Sequence, residues 1–561
     1  MTYRLPILAL VVCAACQAEP EQHPADWVLR NGVVYTVDAE RSSAEAVAIS
    51  GDRIAYVGDD GGVEVFIGPE TQVIDLDGKM LLPGFFDAHS HPAHAPVDSL
   101  SVRLYGLTSL EGYLDALREY ASAYPDRPVI QGAGWSNTLF PPSGPRRQDL
   151  DRVVSDRPVM FSSEDGHSSW VNSKALELAG ITKDTPDPPG GIIERDPDTG
   201  EPSGTLRESA AGLVAGLAAP ATVEERLLAL EAFQEMAARD GVTTVRDAYV
   251  RLDDVASEAY ARADLTVRFR ANLLFGPEDS LDSVGRYVEE RAKYQLPRFT
   301  IDGIKLFIDG VVEGETAYLL EPYAHRPDYR GELLWDTDFL NETVAAFDEA
   351  SFIVHAHAIG DGGVRVVLDA FAHARDVNGE RDARHQVTHI QLVAPEDIRR
   401  FGELDIVAVP QPFWFTKGAY YENLEKPFLG EARADKEYPM QSFFDAGAVV
   451  ASASDFPVTI PFSPLTGIEH GVLRTDDPGD PALTLGAEES ASLEDMIASF
   501  TIHGAFASFL ENETGSIETG KLADLVVLES NLFDIPPENI SETRVLMTFF
   551  EGEPVFRAEG F

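Results

Sequence analysis

The chain has 561 residues, 44% of them hydrophobic, and carries 44 Lys+Arg against 94 Asp+Glu for a formal net charge of −50. That length buries a large core and exceeds one ordinary domain unless the domain is a barrel with insertions. The charge repels phosphate backbones and anionic lipid, which argues against nucleic acid as a partner, and the acids are scattered as on a solvated surface rather than blocked as in a tail.

Residues 1–18 predict a signal peptide: Arg4 supplies the positive start, and Leu5 to Ala15 form an apolar run too short to remain as a membrane span. Both cysteines of the chain, Cys13 and Cys16, fall here, so the mature protein has no disulfide framework. Cys-Ala-Ala-Cys-Gln resembles the lipobox of bacterial lipoproteins with Cys16 as the lipidated residue, although Cys13 stands where that pattern usually has Leu. The expectation is an exported, periplasmic protein whose only membrane contact is a lipid anchor at Cys16; plain cleavage near Ala18 is the alternative. Residues 19–26, polar and Pro-containing, read as a tether.

From Trp27 to Asp77 short alternating strands are broken by turns at Asn31-Gly32 and Ser50-Gly51: Val28–Val34, Ala46–Ile49, Ile54–Val57 and Val73–Leu76. Partner strands come at the far end, Ala523–Leu528 and Arg544–Phe550, with a hairpin around Glu551-Gly552. A small β-sandwich built from both termini follows, residues 27–80 with 515–561. The intervening 81–514 alternate apolar strand-like runs with amphipathic stretches such as Glu224–Arg239, Ser280–Lys293 and Asn341–Ser351. The runs include Val242–Arg246, Val267–Leu274, Phe299–Phe307, Phe352–His357, Gln386–Ile390, Ile406–Pro410 and Ala448–Ser452. This is the α/β pattern of a (β/α)₈ TIM barrel. Residues ~97–235 hold more elements than one barrel unit needs, and read as an inserted subdomain over the barrel mouth.

Catalytic residues of such barrels sit at the C-terminal ends of the strands. His89 and His91, two apart after the buried run Met80–Leu82, point to one side of a strand and can grip one ion. Taken alone the pair is weak evidence. Lys305, His357, His389 and Asp455 then recur at later strand ends, a register hard to reach by chance.

At these residues a resemblance becomes specific. Pro-Gly-Phe-Phe-Asp-Ala-His-Ser-His (83–91), Gly-Ile-Lys-Leu-Phe-Ile-Asp-Gly (303–310), His-Ala-Ile-Gly-Asp (357–361), Val-Thr-His-Ile-Gln (387–391) and Ser-Asp-Phe-Pro-Val (454–458) resemble the amidohydrolase superfamily. The branch is the amidohydrolase-3 or YtcJ-like family, which includes N-substituted formamide deformylases. The segments at 164–176 and 515–528 match it too, so the likeness spans nearly all of the mature chain.

The resemblance implies that His89, His91 and Asp455 bind one metal, His357 and His389 a second, and that Lys305 joins both as a CO₂-carboxylated lysine. A free ammonium beside two divalent cations would be repelled, whereas a carbamate offers two anionic oxygens. Imidazoles with oxygen ligands suit Zn²⁺, two per chain. A bland reading of Lys305 is a buried lysine neutralised by Asp302 or Asp309, with a mononuclear site. His355 also precedes His357 by two, so spacing leaves the choice open; the family segment selects His357. His94 reads as a loop histidine and His385 as structural. His167, in the Asp-Gly-His-Ser loop, is a candidate substrate contact, and Trp135, Glu208 and Tyr318 are weaker ones. Phe413, Trp414 and Phe415 suggest room for an apolar or aromatic group, or pack their loop.

The expected chemistry is hydrolysis of a C–N bond in a small-molecule amide, with Asp455 as the proton shuttle. Opening of a cyclic amide or ester, deacetylation, or a lipid-anchored ligand-binding protein without chemistry are the alternatives. The resemblance also admits a homodimer.

Overall fold

The computed structural model describes residues 24–97, 99–460 and 462–561. The signal segment with Cys13 and Cys16 lies outside the described residues.

Seven parallel strands form the central sheet: β1 (Phe85–Ser90), β2 (Val242–Val250), β3 (Arg268–Leu274), β4 (Phe299–Phe307), β5 (Ile353–Ala358), β6 (Gln386–His389) and β7 (Val407–Val409), each beside the next. β1 and β5 are buried at every position, as strands covered on both faces must be. The expected eighth strand, Ala448–Ser452, is not a regular strand, yet it closes the ring. Ala451 N–H donates to Ala408 O at 2.9 Å on one flank, and Ala88 N–H donates to Ser452 O at 3.2 Å on the other.

The composite sandwich is present. A four-stranded sheet holds Trp27–Arg30, Ala46–Ser50, Arg53–Gly58 and Gln72–Asp75. The facing six-stranded sheet mixes Val33–Tyr35, Ser43–Ala44 and Met80–Pro83 with Leu525–Leu528, Val545–Phe550 and Glu553–Arg557. Its central pair, Met80–Pro83 against Leu525–Leu528, is apolar on both sides for a geometric reason. Leu81, Leu525 and Val527 point into the sandwich core, while Met80, Leu82, Val526 and Leu528 point into the barrel's core. One sheet thereby seals the two units together. Gly84 follows, where a Cβ would lie 2.3 Å from Thr243 Oγ1, and the chain turns there into β1.

The insertion between β1 and β2 is a second six-stranded sheet, from Val102–Arg103 to Pro202–Glu208. Helix Val223–Arg239, capped by the Thr222/Glu225 box, begins inside the expected 97–235 but packs on the barrel: Leu230, Phe233 and Ala237 join the barrel's apolar core. Trp135 is a correction. It is fully buried in the insertion's own core, with its indole N–H spent on Phe161 O at 3.0 Å, so it meets no substrate.

Candidate metal centre

β1 places His89 at its end and His91 just beyond, with ring centroids 5.3 Å apart. The closing segment ends at Asp455, whose N–H donates to His89 O at 2.8 Å; His91 N–H donates to Phe456 O at 2.7 Å. Asp87 locks this seam, accepting from His89 N at 3.2 Å and from Ser454 N at 3.0 Å, and from the Ser454 hydroxyl as well. One ligand atom each from His89, His91 and Asp455 consequently lies within 4.8 Å of the others. Asp455 Oδ1 is 3.1 Å from His91 Nε2 and 3.3 Å from His89 Nε2.

The other strand ends converge on the same point. The His389 ring is 4.9 Å from His89 and 4.5 Å from His357. Lys305 on β4 sits opposite His355 on β5, and Phe307 opposite His357. His389 and Asp455 both adopt positive φ, 74° and 58°, unusual for side-chain-bearing residues and typical of sites where surrounding structure dictates the backbone.

The hydrogen bonds behind the imidazoles decide which nitrogens face inward. Gln386 Nε2 donates to Ala507 O at 2.7 Å, leaving its Oε1 to accept from His355 Nδ1 at 2.6 Å. His355 Nε2 must then accept from His89 Nδ1, also at 2.6 Å, which leaves a lone pair on His89 Nε2. His389 Nδ1 is held in the same way by Gln411 Oε1 at 3.0 Å, and His357 Nε2 donates to Gly310 O at 3.1 Å. His355 is thus the back-partner of His89, not one of the inward-facing donors. His89 Nε2 and Asp455 Oδ1 are two electron-pair donors 3.3 Å apart, an arrangement that suits a cation between them.

Burial, with the Lys305 charge as a further contribution, holds His89, His355, His357 and His389 well below the usual imidazole range, so they are neutral. Burial likewise brings Lys305 down to about 7 despite Asp455. Neither carboxylate considered as its partner serves. Asp302 is engaged by Arg246 at 2.7 Å, and Asp309 accepts backbone N–H groups of Tyr318, Ile359 and Gly360 at 2.8, 3.0 and 2.9 Å. Asp455 would be raised by burial, but His91, His389 and Lys305 outweigh this and hold it below the usual carboxylate range.

A cavity of about 820 Å³ opens over His89, His91, Lys305, His357, His389 and Asp455, with His167 and Glu208 on its wall. His167 Nδ1 is 2.9 Å from Glu208 Oε2, and its ring is 5.5 Å from that of His357. Burial alone would lower His167, but the Glu208 carboxylate overrides it and lifts the imidazole to about 10. Glu208 also accepts from Thr316 Oγ1 at 2.6 Å; this close approach needs Gly310, where a Cβ would stand 2.6 Å from Glu208 Oε1. Tyr318 is a second correction: it lines neither this cavity nor its neighbour, and packs instead over Gly362 with its backbone N–H on Asp309. His385 is structural, set between Val354 N and Asp348. Gln386, Gln411 and Asp87 escaped sequence reasoning because amides and an internal strand carboxylate carry no spacing signal of their own.

A family model described as the amidohydrolase family matches residues 72–556. The chain is 32% identical to the protein LONG AFTER FAR-RED 3 of Arabidopsis thaliana, over 95% of this chain and 92% of that one. It is 30% identical to the putative amidohydrolase YtcJ of Bacillus subtilis (94% and 99%), and 28% identical to N-substituted formamide deformylase of Arthrobacter pascens (94% and 97%). Among solved structures, an uncharacterized metal-dependent hydrolase from Pyrococcus horikoshii superposes with a TM-score of 0.71 at 24% identity, covering 91% of this chain and 99% of that one.

Proposed function

Because the chain belongs to the amidohydrolase family and is a metal-dependent hydrolase of C–N bonds, we propose that it cleaves a small-molecule N-acyl or N-formyl amide at the strand ends of its barrel. His89, His91 and Asp455 would hold one divalent ion and His357 and His389 a second, with Lys305 joining them as a carbamate. Zinc is the metal that neutral imidazoles with oxygen donors favour. The observation that carries the reading is the convergence of His89 Nε2, its lone pair turned inward by His355, with His91 Nε2 and the Asp455 carboxylate. Lys305, buried and brought down to about 7, has the neutral amine that reacts with CO₂.

When bound, the metal polarises the scissile carbonyl and brings the pKa of a water to about 7. Asp455, kept ionised, takes the proton of the attacking water. As the water oxygen bonds to the acyl carbon and the C–N bond breaks, Asp455 returns that proton to the leaving nitrogen. His167, held cationic by Glu208, donates to the acyl oxygen and stabilises the charge that gathers there. The N-terminal sequence supports an exported, lipid-anchored enzyme.

The test is metal analysis joined to a screen of N-formyl, N-acyl and cyclic amides. Two zinc per chain and EDTA-sensitive release of amine are expected. A protein that takes up no metal, or that hydrolyses none of these amides when loaded, sinks the reading.

A further inference from the structure

Beside the larger cavity lies a second of about 350 Å³, sharing His357, His389, Asp455 and His167 with it. Besides Asp455, its wall carries four carboxyl groups, Glu164, Asp165, Glu313 and Glu425. Among the described residues no lysine or arginine nitrogen lies within 4.0 Å of any of them, whereas half-buried Asp302 on β4 is paired with Arg246. Their hydrogen-bond donors are neutral groups: Tyr420 donates to Glu164 at 2.6 Å, Asn137 to Asp165 at 2.5 Å, the Ser163 hydroxyl and the His167 backbone N–H to Asp165 as well, and Gln391 to Glu425 at 3.0 Å. No side-chain hydrogen bond reaches the Glu313 carboxyl. Just behind Glu425, Gln391 also serves fully buried Glu437, whose Oε2 has no partner. Buried Arg474 faces backbone carbonyls of Leu485 and Glu437 and lies over Phe415, and the His167 imidazolium on the wall is already paired with Glu208.

Four aromatic side chains, Phe413, Trp414, Tyr420 and Tyr438, share the wall with aliphatic Val311 and Ile359. Trp414 is pinned through its indole N–H to Thr459 at 3.0 Å and stacks on His389 at 5.7 Å, so the aromatic wall is continuous with the metal-facing histidines. Carboxylates combined with aromatic faces recognise organic cations, by charge and by the ring quadrupole. A neutral apolar group placed here would bury these carboxyls with only the His167 imidazolium, itself paired with Glu208, to offset them. Their burial together already shows in Glu313, pushed up to about 8 by desolvation and by Asp165.

We propose that the substrate amide carries a cationic group, a protonated or quaternary ammonium, which this acid-and-aromatic cavity receives while the amide bond lies over the strand-end histidines. The inference rests on the hydrolase reading for its second half only, since recognition of the cation is a property of the cavity itself. The probes are 2-phenylethylammonium and its neutral counterpart 2-phenylethanol, titrated calorimetrically into zinc-loaded protein, and N-formylbenzylamine with and without a para-aminomethyl group as matched substrates. The ammonium should bind about ten-fold tighter than the alcohol, as a desolvated cation–π and charge contact provides. The aminomethyl substrate should lead in kcat/KM by a similar factor. Glu313→Gln should shrink the binding ratio, and Glu425→Gln repeats the test deeper in the cavity. Equal binding of ammonium and alcohol by the wild-type protein overturns the proposal, as does a ratio unchanged in both variants. If neither amide is hydrolysed while the ammonium preference holds, the hydrolase reading fails and the cation site stands.

Discussion

Replacing Gln386 with Leu would test the hydrogen-bond chain that fixes His89. The substitution keeps volume but removes the acceptor of His355 Nδ1, 2.6 Å away in the native site. His355 is then free to adopt the other tautomer, in which its Nε2–H points at His89 Nδ1 across the same 2.6 Å contact; His89 would have to carry its own proton on Nε2, the atom that faces Asp455. Loss of such an outer partner lowers metal affinity by about 10- to 100-fold, or about 1.4–2.7 kcal/mol. Competition with a chromophoric chelator measures the affinity, and elemental analysis at saturating zinc measures the stoichiometry. Gln386→Leu should raise Kd by that factor with the full complement of metal still bound at saturation. An unchanged Kd in Gln386→Leu refutes the relay. If His355→Ala lacks a whole metal equivalent even at saturation, His355 is itself a ligand and the tautomer argument is wrong.

Asp455→Asn should lower kcat by about 10²–10⁴-fold, the usual worth of a general base, while metal content survives; substantial activity would remove Asp455 from the proton path. Lys305→Ala should lose at least one metal equivalent by elemental analysis, and an unchanged stoichiometry rules out the carbamate. The Glu208–His167 pair should be visible in thermal melts. His167 is raised from 6.5 to about 10, so its stabilisation is complete below pH 6.5 and disappears as pH climbs through about 10. Breaking a buried pair costs about 3–5 kcal/mol, and these partly exposed side chains belong at the lower end. Glu208→Gln should accordingly melt well below wild type at pH 6.5, with the gap narrowing toward pH 10; a gap that widens on the alkaline side contradicts the assigned charges.

The barrel and its six strand-end residues could be read in the chain because each follows an apolar run and because period-two geometry puts His89 and His91 on one side. The composite sandwich was legible for a similar reason: its strands alternate and are bounded by turns. What sequence could not supply was direction of burial. Trp135 looked like a mouth residue, yet the insertion has a core of its own and needed a large side chain to fill it. Tyr318 stands in a loop whose course is set by Asp309, a contact made through backbone and invisible in the residue type. The roles of Gln386 and Gln411 depend on which way an amide is turned, set for Gln386 by the Ala507 carbonyl far along the chain and for Gln411 by the Thr388 hydroxyl and the Val409 carbonyl. His355 and His357 were equivalent on spacing alone; only the neighbour behind each ring separates them.

The seam between β1 and the closing segment is where the barrel's first and last strands meet, and Asp87 with Ser454 fastens it. His89 and His91 stand on one lip of that seam and Asp455 on the other. The His89–His91–Asp455 cluster therefore reports completeness: during synthesis it cannot assemble until the ring has shut, more than 350 residues after its first half was made. An ion that binds across the two lips adds its affinity to the stability of closure, and withdraws it first from any chain whose ring springs open.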